Sequence, residues 1–333
     1  MSSNKILITS HKLNPKAIEV LEQRGYEAVF TPPYTAPEDL VKLVEETDPV
    51  GILVRLGQIN DAVINAGKSL KVLSKFGAGV DNIDIDAATK RGLPVLNALG
   101  ANAKSVAEHA ITLMMATIKK TLMLDTSLRG GQWVKPQHLS TEVSGKVLCI
   151  VGLGQIGRAV SKIAKGLELE VHAYDPYLDD SIFEEYGVIR ETSFEDLVKK
   201  ADIVTMHCPL TNETAKMINA DSIAMMKDGV FIINTARGGV VDEPALEAAL
   251  KSGKVTAAGL DVFAVEPPPA DHPFWSLDNV VVSPHVGTST AEADVRVSVA
   301  AVMGIIQVVE GEEVDQNRIV NREGLAVRAE QVI

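Results

Sequence analysis

The glycine turn Gly152-Leu153-Gly154-Gln155-Ile156-Gly157 constrains this chain more than any other feature. The run Val147–Val151 before it reads as a buried strand, and Ile156–Leu167 after it as a helix. A G-x-G-x-x-G between strand and helix is the signature of a phosphate-binding βα unit. The first glycine permits the tight turn, the second lets backbone approach a pyrophosphate, and the third lets helix and strand pack closely. Free N–H groups and the positive dipole at the helix N-terminus then face the phosphates. Asp175 follows the next strand, Glu170–Tyr174. A carboxylate there accepts from both hydroxyls of an adenosine ribose and repels a 2′-phosphate, and no Arg follows in Pro176-Tyr177-Leu178. NAD is therefore expected over NADP. The bland reading is a turn and a strand-ending acid; strand, glycines, helix and acid in one register favour the cofactor.

The same alternation runs through the whole chain. Strands are predicted at Lys5–Ile8, Glu27–Phe30, Gly51–Val54, Lys71–Ser74 and Pro94–Leu96, with helices from Asn14-Pro15 to Arg24 and at Pro37–Glu46 and Asp61–Ala66. One long helical stretch is predicted from Ala103 to about Arg129, with Val106, Ala110, Leu113, Met114 and Thr117 at helical spacing. Gly130-Gly131 breaks it, and 132–144 reads as a loop or arm. A second series has six strands, Val147–Val151, Glu170–Tyr174, Ile203–Met206, Val230–Asn234, Thr256–Leu260 and Val280–Ser283. Helices Phe194–Lys200, Asp221–Met226 and Glu243–Ser252 lie between them, and Ala291–Glu310 forms a last helical run. At roughly 150 residues per domain, 333 residues suggest two domains. The expected class is α/β, two doubly wound parallel-sheet domains, with a Rossmann dinucleotide-binding domain over 102–289 inserted into a flavodoxin-like substrate domain made of 1–101 and 290–333.

Charge narrows the function classes. Lys plus Arg number 32 and Asp plus Glu 44, a net charge of −12, which repels nucleic-acid backbones and anionic lipid. No apolar run approaches the roughly 20 residues of a membrane span, and Met1–Ile8 is too short for a signal peptide. Cys149 and Cys208 sit in apolar segments and make no disulfide framework, so a reducing cytoplasm is expected. His11, His109, His138, His172, His207 and His272 show no ligand-like spacing, and no metal is expected.

Three segments just past predicted strands carry chemistry: Asn234-Thr235-Ala236-Arg237-Gly238-Gly239, Asp261 with Glu266-Pro267, and Ser283-Pro284-His285-Val286-Gly287. In a doubly wound sheet, ligands bind at the carboxyl ends of the strands. Each residue also has a bland reading: Arg237 as a surface cap, His285 as a buried satisfied imidazole, Glu266 as a loop acid, Asp261 as a loop organiser.

With the glycine turn, these segments make the chain resemble the D-isomer-specific 2-hydroxyacid dehydrogenase family. Phe76-Gly77-Ala78-Gly79-Val80-Asp81-Asn82-Ile83-Asp84 and Asn102-Ala103-Lys104-Ser105-Val106-Ala107-Glu108 add to the likeness. Within the family it is most similar to the short-form 3-phosphoglycerate dehydrogenases, in which no regulatory amino-acid-binding extension is expected after residue 333. The resemblance implies hydride transfer between NADH and the carbonyl carbon of a 2-keto acid. It implies that Arg237 grips the substrate carboxylate, that His285 gives the proton to the developing alkoxide, and that Glu266 bonds the other imidazole nitrogen. Gly152, Gly154, Gln155, Ile156, Gly157, Asp175, Cys208, Pro209, Thr235, Ala236, Asp261 and Gly287 are the implied cofactor positions. Arg55, Ala78, Gly79 and Asn102 join Arg237 and His285 at the substrate. Arg55 and Lys75 are candidates for a phosphate or second anion, and for Lys75 a solvated cation is an equal reading.

The long helix and the arm around Trp133 are expected to pair two copies into a homodimer. The expected ligand is a small anionic 2-keto or 2-hydroxy acid. Hydroxypyruvate or glyoxylate reduction, and a weakly catalytic NAD-sensing role, are the alternatives. A formate dehydrogenase on the same scaffold is disfavoured by Glu266, where that branch has Gln.

Overall fold

A computed structural model of the chain describes Ser3–Gln331. Contacts divide it into two units: one runs through Asn102 and resumes at Thr288, and the other is Ala103–Gly287.

The first unit carries strands β1 Lys5–Ile8, β2 Glu27–Phe30, β3 Gly51–Val54, β4 Val72–Lys75 and β5 Val95–Leu96. They pair in parallel in the order β2-β1-β3-β4-β5, the flavodoxin-like order. All four residues of β3 are buried, as a strand covered on both faces requires. Pro37–Thr47 and Asp61–Ala66 cover one face, through Leu40, Val44, Val63 and Ile64. The other face packs on Pro15–Gln23 and on the late helix Ala291–Glu310, through Ala301, Val302, Ile305 and Ile306. That helix starts where Thr290 accepts from the Ala293 N–H at 3.2 Å. Without it, Ile6, Ile8, Leu53 and Val72 would face water, which is why the chain returns to this unit.

The second unit holds β6 Val147–Val151, β7 Glu170–Tyr174, β8 Ile189–Arg190, β9 Ile203–Met206, β10 Val230–Asn234, β11 Val255–Leu260 and β12 Val280–Val282. Their order is β12-β11-β10-β9-β6-β7-β8, again all parallel. Inside it is the 3-2-1-4-5-6 order of dinucleotide-binding sheets, and the order reverses between β6 and β9. Seven strands stand where six are predicted, because β8 is a two-residue edge strand with a half-exposed Ile189 and too little apolar pattern to read.

The stretch from Ala103 is two helices, Ala103–Ile118 and Thr121–Arg129, instead of one. Lys120 breaks it in a left-handed conformation, φ 54°, after Lys119 bonds the Thr141 carbonyl at 2.7 Å. Helix Ala103–Ile118 has nine buried positions, including Ala110, Leu113 and Met114, whereas Thr121–Arg129 has none. The apolar period runs on through the break, but only the first half has a core to face.

Candidate active site

The parallel register places the site. Tyr174, Val151, Met206, Asn234, Leu260 and Val282 form one level row across the second sheet. The residues just past them therefore share one edge: Asp175, Gly152, His207, Thr235, Asp261 and Ser283. At about 4.8 Å per strand, that edge runs about 24 Å from Asp175 to Ser283.

At its first end, Gly152 turns with φ +91°, and a Cβ there would lie 2.8–2.9 Å from the His207 and Cys208 backbone. A Cβ on Gly157 would lie 2.2 Å from the Gly152 carbonyl oxygen. Both positions need glycine for the protein's own packing. Gly154 does not, because a Cβ there would meet nothing within 4 Å. Exposed Gly154 and Gln155 and half-buried Ile156 start helix Gln155–Gly166, whose N-cap has no side-chain bond. The open space and uncapped N–H groups form a cradle for phosphate oxygens. Asp175 Oδ2 accepts from the Leu153 N–H at 2.9 Å and Oδ1 from the Tyr177 N–H at 3.1 Å. Its carboxylate is thus fixed beside the glycine turn with lone pairs to spare.

In mid-row, Cys208 is buried, and burial pushes its thiol up to about 11, which makes it packing rather than a nucleophile. Exposed Pro209 accepts at its carbonyl from the Thr214 hydroxyl. His207 Nε2 lies 2.9 Å from the Thr205 hydroxyl, while Nδ1 is buried without a partner. Thr235 Oγ1 is likewise buried without a partner. Orphan polar atoms at a strand edge, beside an open glycine cradle, fit a polar ligand laid along the row. The dinucleotide implied by the turn suits these residues.

At the far end, the Asn234 side chain holds the loop after β10. It donates to the Arg237 carbonyl at 2.9 Å and accepts from the Ala236 N–H at 3.0 Å. Gly238 brings this loop against the next one, since a Cβ there would sit 1.8 Å from the Phe263 carbonyl carbon. Half-buried Arg237 is thereby set near Glu266, and its Nη1 donates to the Ala236 carbonyl at 2.6 Å. Glu266 Oε2 and His285 Nδ1 are 2.7 Å apart, and Oε1 accepts from the Phe263 N–H at 3.0 Å. Burial alone would raise the Glu266 carboxyl, but the bonds from His285 and Phe263 and the charge of Arg237 outweigh it and hold it below the ordinary range. A carboxylate on Nδ1 fixes the imidazole tautomer and leaves Nε2 for a substrate. His285 is a non-glycine residue at φ +53°, a conformation that persists only where the surroundings enforce it.

Asp261, 1% exposed, accepts from Val286 N–H at 2.9 Å, Gly287 N–H at 2.8 Å and the Ser283 hydroxyl at 2.6 Å. These bonds organise the loop. His109 and Ser283, which the sequence reading gave no role, stand 2.9 Å apart beside this carboxylate. The only local trace of the contact is that Ser105 and His109, four residues apart, fall on one face of the predicted helix.

In the first unit, the Arg55 guanidinium lies 4.3 Å over the Phe76 ring, and Lys75 Nζ donates to Asn82 at 2.6 Å. Ala78 and Gly79 follow β4 in a turn begun by Gly77, and the Ala78 carbonyl accepts from Asn97 at 3.2 Å. Asn102 is buried, and its amide donates to Thr288 at 3.0 Å.

A glycine cradle, a fixed acid beside it and an Arg–Glu–His constellation along one strand edge define a dinucleotide-binding α/β protein. Residues 111–287 match the D-isomer specific 2-hydroxyacid dehydrogenase, NAD binding domain. The D-3-phosphoglycerate dehydrogenase of Archaeoglobus fulgidus is 41% identical over 308 residues, 92% of this chain and 58% of that protein. The hydroxypyruvate reductase of Thermotoga maritima is 40% identical over 297 residues, 89% of this chain and 95% of that one. The crystal structure of NAD+-bound 3-phosphoglycerate dehydrogenase of Entamoeba histolytica superposes with a TM-score of 0.80 at 27% identity, covering 96% of this chain and 99% of that chain. The chain belongs to the D-isomer-specific 2-hydroxyacid dehydrogenase family, and its second unit is that family's NAD-binding domain. It spans 58% of the length of the Archaeoglobus protein and about half that of the Mycobacterium leprae D-3-phosphoglycerate dehydrogenase.

Proposed function

We propose that the chain is an NAD-dependent D-2-hydroxyacid dehydrogenase, interconverting a small 2-keto acid and its 2-hydroxy acid. The observation that carries this is the 2.7 Å Glu266–His285 pair beside Arg237, on the strand edge that also bears the glycine cradle. Gly152, Gly154, Gln155, Ile156, Gly157, Asp175, Cys208, Pro209, Thr235, Ala236, Asp261 and Gly287 hold NAD in this reading. When bound, that group supplies or takes up the hydride.

The chain's own residues do the rest. Arg237 binds the substrate carboxylate through its planar fork of donors. His285 donates a proton from Nε2 to the oxygen that gains charge during reduction and takes it back in oxidation. Glu266 keeps Nδ1 protonated and balances the imidazolium charge. A fixed cation and a proton donor stabilise developing negative charge more than they stabilise the neutral carbonyl, so they lower the barrier and not only the binding energy. Arg55, Ala78, Gly79 and Asn102 are proposed substrate contacts, and 1–101 with 290–333 the substrate-binding domain against 102–289 for NAD.

The substrate is a small anionic acid; 3-phosphoglycerate and hydroxypyruvate or glyoxylate are the two readings. Arg55, a cation just past β3, supports the phosphorylated acid, and the near full-length likeness to a hydroxypyruvate reductase supports the other. Initial rates on 3-phosphohydroxypyruvate, hydroxypyruvate, glyoxylate, pyruvate and longer keto acids, with NADH and with NADPH, separate them. No turnover on any, with NADH bound, leaves the NAD-sensing reading.

The protein is further proposed to be a homodimer. Leu122, Leu128, Trp133 and Leu139 are 53%, 60%, 71% and 85% exposed on the helix and arm after Lys120, apolar surface that a second copy would cover. Buried free thiols at Cys149 and Cys208 support a reducing, cytoplasmic setting. No helix among the described residues is long and apolar enough to cross a membrane.

A further inference from the structure

The loop Ser283–Gly287 presents His285 from a backbone conformation that side-chain-bearing residues rarely adopt, and a cluster of polar groups holds it from behind. Asp261 Oδ1 accepts from Ser283 Oγ at 2.6 Å and from the Val286 N–H at 2.9 Å, and Oδ2 accepts from the Gly287 N–H at 2.8 Å. The Asp261 carbonyl accepts from the His285 N–H at 2.8 Å. Helix Ala103–Ile118 closes the cluster with two side chains from one face. Ser105 Oγ donates to the Gly287 carbonyl at 2.8 Å. His109 Nε2 lies 2.9 Å from Ser283 Oγ and 3.2 Å from Asp261 Oδ1.

Proton accounting fixes the direction of the chain. A carboxylate offers only acceptors, and Ser283 gives its single hydrogen to Asp261. The hydrogen between His109 and Ser283 therefore sits on His109 Nε2, whatever the charge of that ring. Each link depends on the one before it. Without the Nε2 hydrogen, Ser283 loses its donor, the Asp261 carboxylate loses a neighbour, and the three contacts that shape the loop can turn.

We propose that His109 is a positioning residue: by donating from Nε2 to Ser283 and Asp261 it holds the loop that aims the His285 imidazole. This rests on the acid–base role proposed for His285. The charged groups around His285 itself are Glu266, bonded to its Nδ1, and Arg237, near that carboxylate. His109 reaches it only through the loop, so its removal acts on orientation and not on direct contact.

The test compares His109→Gln, whose amide N–H can replace the Nε2 donor, with His109→Leu, which fills space without donating. Ser283→Ala breaks the same chain at its middle by removing one oxygen. Two measurements are made on the full chain. The first is the pH profile of diethyl pyrocarbonate modification of His285, followed by peptide mass spectrometry, which needs no turnover. The second is kcat and KM for hydroxypyruvate and for NADH. His109→Leu and Ser283→Ala are expected to move the midpoint of the His285 profile by about half a unit or more. They should lower kcat about ten- to hundredfold with the NADH KM within about twofold, as misplacement of an acid–base group does. His109→Gln is expected to stay near wild type on both measurements. An unchanged midpoint and kcat in either donor-deleting variant overturns the proposal, and so does a Gln variant as impaired as the Leu variant. Wild-type protein that turns over no keto acid refutes the proposed reaction instead, and the His285 profile then decides this inference alone.

Discussion

Arg237 and His285 are the side chains whose removal has the plainest consequence. His285→Ala and Arg237→Ala are each expected to lower kcat/KM about 10²–10⁴-fold while NADH still binds, which steady-state rates and NADH fluorescence titration check together. At the other end of the row, Asp175 has a carboxylate aimed by two backbone N–H groups. Asp175→Asn is expected to raise the NADPH-to-NADH ratio of kcat/KM about tenfold or more, since one like-charge contact is worth about 1–3 kcal/mol. His207 links chemistry to stability. Part of the residue reaches the surface, yet burial pushes its ring down to about 3, with Nδ1 sealed and unpartnered. The unfolded chain takes up a proton near pH 6.5 that the folded ring refuses. Stability is therefore full above that pH and falls as pH drops toward 3. Between pH 6.5 and 5 the loss from this group is about 2 kcal/mol, and urea unfolding of His207→Gln should show that slope reduced. The types and spacings of Arg237, Glu266, His285 and Asp175 were legible because each sits one or a few residues past a strand the hydrophobic pattern reveals. The roles of His109 and Ser283 were not, since their meaning lies in a contact across 174 positions of sequence.

Among the elements, the loops after β10 and β11 depend on one glycine. Gly238→Ala would drive a Cβ into the Phe263 carbonyl, so the loops must part and carry Arg237 away from Glu266. The expected outcome is a loss of about 1–3 kcal/mol in urea unfolding together with a fall in kcat/KM, whereas an equivalent strain elsewhere would move stability alone. Most strands were readable because parallel strands covered on both faces are continuous apolar runs, as in Gly51–Val54 and Val230–Asn234. The helix Ile85–Arg91 went unread although its cap is present: Asp84 accepts from the Ala87 N–H at 2.9 Å, and Gly92 ends it. With two buried alanines as its inner face, it has little hydrophobic period to notice. The break at Lys120 was invisible for the opposite reason, because apolar spacing continues where the core does not.

For the whole molecule, the exposed apolar helix and arm predict association. Sedimentation equilibrium should show a dimer, and Leu128→Asp with Trp133→Asp should shift it toward monomer; a wild-type monomer at micromolar concentration would remove the claim. The net charge of −12 adds long-range repulsion of any anionic substrate, so in the proposed function local cations such as Arg55 and Arg237 would have to focus it. Raised salt screens both effects, and the salt dependence of KM in wild type and Arg55→Ala separates the two contributions.

Local patterning by itself determined the class of this protein: the period of apolar residues, the glycines at the turn and the acid after the next strand are short-range signals that act within one βα unit. It also marked the segments that carry Arg237, Glu266 and His285, since strand ends are where parallel sheets expose residues; the acid–base roles proposed for them came from the family resemblance. Strand order, the level row from Asp175 to Ser283, the pairing of Glu266 with His285 and the support of the His285 loop were decided only by tertiary structure. Those contacts join segments far apart in the chain, and their energies depend on distances that no local pattern encodes.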